Sequence, residues 1–93
     1  MAMTQPNFSI NQEVLAFAEL EHGTFTDEGI VIGMVWNPDF SRVADTWWYW
    51  IEYTKLNSSE NQQLPQFGWY LEEELKAKVN KVVNTRNNVM KTY

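Results

Sequence analysis

The chain has 93 residues, of which 44% are hydrophobic and 15% aromatic, and it has a net charge of −5 and no cysteine. Aromatic side chains bury a large area each, so this composition predicts one folded domain. The absence of cysteine excludes disulfides, thiolate zinc sites and cysteine nucleophiles. No stretch approaches the roughly 18 apolar residues of a membrane span, and no signal-peptide pattern is present, so we expect a cytoplasmic protein.

Charge divides the chain into two parts. Residues 1–75 hold all 12 acidic residues and two basic ones, whereas residues 76–93 hold five basic residues and no acid. The acidic part repels phosphate backbones, so we do not expect nucleic acid as its partner. The basic part is expected to dock on the acidic part or on a neighbouring chain, with nucleic acid or an acidic partner as the alternatives.

The first half of the chain predicts two strands after a flexible leader, residues 1–7. Alternating apolar residues over 8–20 predict a strand with a bend at its polar Asn-Gln-Glu triplet, although a helix over 12–21 also fits. A turn follows around Gly23, and the β-branched segment 27–36 predicts the next strand. Its internal Gly29 and Gly33 indicate bulges, or places where a neighbouring strand crosses closely.

The second half predicts two more strands and a helix. Residues 46–54 are almost all aromatic or β-branched, which makes them the clearest strand of the sequence. A polar loop leads to a last strand at 66–71. Three glutamates at 72–74 followed by lysines predict a helix start, with Glu72–Lys76 and Glu74–Lys78 as pairs one turn apart.

Four segments together resemble a small SH3-like barrel: Phe8–Val14, Gly29–Gly33, Trp48–Tyr53 and Gly68–Leu75. They resemble in particular short SH3-like proteins of unknown role in cyanobacteria. The resemblance implies an all-β, SH3-like barrel over residues 8–75, followed by a basic C-terminal helix or ordered tail over 76–93. Such barrels bind diverse partners, so the fold alone selects no function. The tyrosine-containing Ala-Leu-Tyr-Asp-Tyr opening of peptide-binding SH3 domains is absent, which argues against recognition of proline-rich peptides.

The aromatic strand also predicts the candidate site. Alternation places Trp48, Trp50 and Glu52 on one face, and the polar Glu52 indicates that this face meets water. We predict a partner-binding surface formed by these residues and Trp36. Two alternatives are open: the same chain or a second copy covers the indoles, or Trp36, Trp48, Trp69 and Tyr70 form a cage for a cationic ligand.

The sequence contains no motif of a reaction. His22 stands alone beside a glycine, and Glu72–Glu74 is explained by capping and solvation. We expect no catalytic residue, cofactor, metal or small-molecule substrate. The predicted function is a non-catalytic protein-interaction module whose partner is another protein or a second copy. The alternatives are a nucleic-acid binder that uses the basic tail and exposed tryptophans, and an accessory subunit of a larger enzyme.

Overall fold

A computed structural model describes residues 3–79, which form one antiparallel sheet. Its strands are β1 (Glu13–Leu20), β2 (Gly23–Trp36), β3 (Trp47–Lys55), β4 (Phe67–Leu71) and β5 (Leu75–Ala77). They lie side by side in the order β4-β3-β2-β1-β5. The predicted all-β class is confirmed, and the sheet is open, with β4 and β5 as its two edges.

Strand β1 follows the apolar alternation of its sequence. Val14 and Ala16 are buried while the residues between and around them meet water, which is the two-residue period of a strand. The predicted bend precedes the strand, at Asn11, whose φ is 73°. The alternative helix over residues 12–21 is wrong, because β1 is paired along its whole length with β2.

The pairing of β2 with β3 is irregular at two places, both beside internal glycines of β2. The pairing with β3 shifts register between Glu28 and Gly29, and again between Val31 and Gly33. A Cβ atom at Gly29 would lie 2.8 Å from the carbonyl oxygen of Glu52, so β3 crosses β2 there more closely than a side chain allows. The predicted bulges and the close crossing are therefore present.

The segment after β4 differs from the predicted helix. Residues Glu72–Glu74 form one 3-10 turn, and the chain then extends as β5, which pairs with β1. Leu75 becomes buried opposite Ala16. Lys78 makes ion pairs with Glu28 at 2.6 Å and with Glu13 at 3.8 Å, instead of pairing with Glu74. Strand β5 thus crosses the boundary expected at residue 76, and the remainder of the predicted helix or tail, residues 80–93, lies outside the described residues.

The core lies on one face of the sheet. Its buried residues come from β1, β2, β3, β5 and the segment before β1: Phe8, Val14, Ala16, Val31, Tyr49, Ile51 and Leu75. The ring of Phe8 packs edge-on against Tyr49 with centroids 5.3 Å apart. Two residues of the predicted leader also bond to the body, since Trp47 Nε1 donates to the Thr4 carbonyl at 2.8 Å and the Asn7 N–H to Glu72 at 2.9 Å.

A buried carboxylate fixes the loop after β3. Asp27 is 1% exposed and accepts hydrogen bonds from the N–H groups of Asn57 and Ser58 at 2.7 and 2.9 Å. The Ser58 hydroxyl donates to the second carboxylate oxygen of Asp27 at 2.6 Å. Leu56, just before this anchor, is buried in consequence.

Candidate functional site

Five aromatic rings gather on the sheet face that points away from the core. Pairing between β3 and β4 sets Trp50 opposite Trp69, and alternation along the strands brings Trp48 and Phe67 to the same face. Phe40 joins them from the loop between β2 and β3. We call this set, Phe40, Trp48, Trp50, Phe67 and Trp69, the aromatic face.

The rings of the aromatic face contact one another in a continuous row. Phe40 lies 5.1 Å from both Trp48 and Trp69, measured between ring centroids. Trp50 lies 4.9 Å from Trp69 and stacks on Phe67 at 5.5 Å with an interplanar angle of 11°. These centroid separations fall in the range of favourable aromatic pairs, so the rings stabilise one another although they lie outside the core.

Much of this row remains open to solvent. Phe40 is 52% exposed, Phe67 44% and Trp69 43%, while Trp48 and Trp50 are half-buried beneath and between them. Exposed apolar area that is contiguous, rather than scattered, is the usual mark of a contact surface. The row is therefore the candidate site within residues 3–79.

Hydrogen bonds in the loop between β2 and β3 hold Phe40 over the tryptophans. The Asn37 N–H donates to the Thr46 carbonyl at 2.9 Å, and the Thr46 N–H donates to the Asn37 side-chain oxygen at 2.9 Å, which closes the neck of the loop. Nearer its tip, Trp48 Nε1 donates to the Ser41 hydroxyl at 2.8 Å. These hydrogen bonds fix the loop at its neck and near its tip, and they thereby position Phe40.

The predicted site residues separate into two groups. Trp48, Trp50 and Glu52 lie on the face expected from alternation, with Glu52 opposite Phe67. Trp36 lies on the opposite face, edge-on to Trp47 at 5.5 Å, so it is not part of the aromatic face. Tyr70 also points to the core side, and the four residues of the predicted cage therefore do not converge.

Two isoleucines of β2 extend the apolar surface beyond the aromatic face. Ile30 pairs with Glu52 on the same face, and Ile32, at the bulge, is 37% exposed. Residues 3–79 carry twelve acidic and four basic side chains, a net charge of −8. The aromatic face is therefore an apolar area on a strongly negative body, and Glu52 brings one of those charges to its margin.

The core side of the sheet carries a polar cavity that offers little chemistry. It has a volume of about 350 Å³ and is lined by Asn7, Val43, Ala44, Asp45, Thr46, Glu72 and Glu73. Glu72 already accepts hydrogen bonds from the Tyr49 hydroxyl and the Asn7 N–H. Across residues 3–79 no three His, Asp or Glu side chains converge as metal ligands, and His22 is exposed and packs against Phe25.

Comparisons with known proteins do not add to this description. No protein-family model, curated sequence or solved structure matches the chain significantly. The described residues, 3–79, contain no candidate transmembrane helix. The function proposed below therefore rests on the residues of the chain itself.

Proposed function

We propose that the protein is a non-catalytic binding module that holds another protein against its aromatic face. One observation carries the proposal: five contacting rings lie on the face opposite the core, and three of them are more than 40% exposed. Aromatic residues are enriched at the centres of protein interfaces, where charged residues are depleted. The largest contiguous apolar patch on a folded domain is often a site where a partner binds.

The charges of the body favour a protein over a nucleic acid as that partner. Bases can stack on exposed rings, but such binding also needs cations that follow the phosphates. Of the four basic residues among 3–79, Lys78 is engaged by two glutamates and Lys76 lies over the Phe17 ring, 5.6 Å from its centroid. The net charge is −8 over residues 3–79 and −5 over the whole chain, and a negative charge repels a polyanion. Nucleic-acid binding, the second candidate function, therefore has weaker support.

We further propose that the strands follow the plan of a small SH3-like barrel. Three features support this assignment: β1 pairs with both β2 and β5, a 3-10 turn joins the two edge strands, and the pairing of β2 with β3 is bulged beside Gly29 and Gly33. The aromatic face lies on the side of the sheet opposite the core.

Removal of one exposed ring tests the binding proposal. We expect Trp69→Ser to abolish retention of a specific protein from a lysate of the source cells, because the ring is 43% exposed and central in the row. Phe17→Ser is the matched control, since Phe17 is an aromatic residue of β1 that is 41% exposed and outside the aromatic face. Mass spectrometry of the cross-linked, retained proteins gives the readout.

Three results would count against the proposal in different ways. Equal retention by the wild type and Trp69→Ser would remove the aromatic face as the binding surface. Equal loss in Trp69→Ser and Phe17→Ser would indicate a general effect of surface change. Retention of nucleic acid in place of protein would establish the second candidate function. If the retained protein is an enzyme, its identity would assign the chain as an accessory subunit.

A further inference from the structure

Strand β4 presents main-chain groups at the same residues that carry exposed rings. The Tyr53 N–H donates to the Gln66 carbonyl at 2.9 Å, which fixes Gln66 as a residue whose main chain points towards β3. In an antiparallel pair such residues alternate with outward-pointing ones, so Gly68 and Tyr70 also face β3. Phe67 and Trp69 therefore direct their N–H and C=O groups to the open edge, where residues 3–79 provide no further strand.

The two edges of the sheet differ in how they are protected. Strand β5 has three residues, and its Lys76 is a charge of the kind that discourages further strand pairing. Strand β4 has five residues, Phe-Gly-Trp-Tyr-Leu, none of them charged. The Leu71 N–H is occupied by the Glu74 carboxylate at 2.7 Å, so pairing is blocked at the C-terminal end of β4 and remains open at Phe67 and Trp69.

Area and charge indicate the size and sign of the missing partner. Since an aromatic side chain presents about 150–250 Å², the exposed fractions of Phe40, Phe67 and Trp69 amount to roughly 300 Å². A stable dimer needs about 800 Å² from each partner. A second copy would also bring another chain of net charge −5 against the first. A short, positively charged segment therefore fits the exposed area and the charge of the protein better than a second copy does.

We propose that the occupant of this edge is an extended, positively charged polypeptide segment that pairs with β4 as a sixth strand. This inference rests on the proposed function and specifies its partner. The main chain of the segment bonds to the outward groups of Phe67 and Trp69. Its alternate side chains cover the rings of the aromatic face, and its cationic side chains meet Glu52 and the other acids of the body.

Amide hydrogen exchange tests this pairing in the full chain. In the free protein we expect slow exchange at Gly68 and Tyr70 and fast exchange at Phe67 and Trp69, because only the first two amides bond to β3. The probes are two synthetic heptapeptides, one alternating Lys with Val and the other alternating Glu with Val. The Lys peptide should slow exchange at Phe67 and Trp69 and bind at least about tenfold more tightly than the Glu peptide.

Two variants separate edge pairing from general surface effects. Trp69→Ser should weaken the Lys peptide at least about tenfold, because it removes the central ring while keeping the main-chain groups. Phe17→Ser should leave its affinity unchanged. Circular dichroism of both variants checks that the sheet is retained.

Each contrary outcome has a defined meaning. Equal affinity for the two peptides, or binding that leaves Phe67 and Trp69 in fast exchange, would overturn the inference. Protection of both amides that rises with protein concentration alone would show that a second copy occupies β4. If lysate capture depends on Trp69 while the Lys peptide does not pair with β4, the proposed function stands and this inference fails. If capture from the lysate does not depend on Trp69, the proposed function itself is wrong.

Discussion

At the scale of single residues, Asp27 shows how a polar residue can organise a loop. Its carboxylate accepts three hydrogen bonds from Asn57 and Ser58 and is withdrawn from water. The sequence does not predict this role, because the two donors lie about 30 residues further along the chain. Local pattern places Asp27 only at the start of a strand.

The burial of this carboxylate gives the first testable expectation. Asp27→Ala should lower the free energy of unfolding by about 2 kcal/mol, because it leaves two partly buried N–H donors without an acceptor. Asp39→Ala is the control, since Asp39 is exposed, and it should change the same quantity by less than about 0.5 kcal/mol. Urea unfolding measures both values. Equal, small losses would mean that the Asp27 anchor does not stabilise the loop.

Two tyrosines of the core side hold their protons more tightly than free phenols. Burial raises the pKa of Tyr49, and so does the Glu72 carboxylate, which accepts a hydrogen bond from the Tyr49 hydroxyl. Burial also raises the pKa of Tyr70, together with its hydrogen bond to the Tyr53 hydroxyl. In both cases the folded state favours the neutral phenol.

The direction of these shifts sets how stability depends on alkaline pH. Once the pH passes the ordinary phenol pKa of about 10, the unfolded chain loses protons that the folded chain keeps, so the free energy of unfolding falls as pH rises. Below that pH this contribution is fully present. Lys78, whose pKa is raised by Glu28, acts with the same sign. We expect urea midpoints to decline steeply above about pH 10.

A tyrosine variant separates the phenol contribution from that of Lys78. Tyr49→Phe removes one shifted phenol and should make the alkaline decline shallower than in the wild type. In this variant, the ultraviolet absorbance of phenolate should show ionisation of Tyr70 only as the chain unfolds. Identical declines in the two proteins would contradict the assigned role of Tyr49.

At the scale of elements, strands with a clear pattern could be predicted and the segment after β4 could not. β3 is dominated by aromatic and β-branched residues, which favour a strand wherever they lie. The Glu-Leu-Lys pattern of residues 72–78 fits a helix locally. In the fold, pairing with β1 and burial of Leu75 outweigh that preference, and both depend on residues about 60 positions earlier.

The crossing of β2 and β3 gives an expectation for this scale. Gly29→Ala should lower the free energy of unfolding by about 2 kcal/mol, because the added Cβ would meet the Glu52 carbonyl at 2.8 Å and the main chain must shift. Gly33→Ala is the matched control in the same strand, since its Cβ would lie 3.4 Å from the Cβ of Trp50. Thermal unfolding of both variants checks the difference. A larger loss at Gly33 would contradict the crossing geometry.

At the scale of the whole molecule, the aromatic face was predictable only in part. A strand's two-residue period places Trp48, Trp50 and Glu52 together. That period does not show how one strand aligns with another. In addition, the bulge at Gly33 changes which face the following residues of β2 occupy, so alternation alone could not place Trp36 on the opposite face. Phe40 lies in a loop without any period, and Phe67 and Trp69 join the row only through the pairing of β4 with β3.

Site-specific photocrosslinking in the source cells tests the proposal that the aromatic face holds another protein. The photoreactive amino acid p-benzoyl-phenylalanine, introduced in place of Phe67, preserves an aromatic ring at a position that is 44% exposed. The same amino acid in place of Phe17, which is 41% exposed, is the control. We expect a discrete covalent adduct with one protein from position 67 and none from position 17. Absence of an adduct at position 67, or the same adducts from both positions, would contradict the claim.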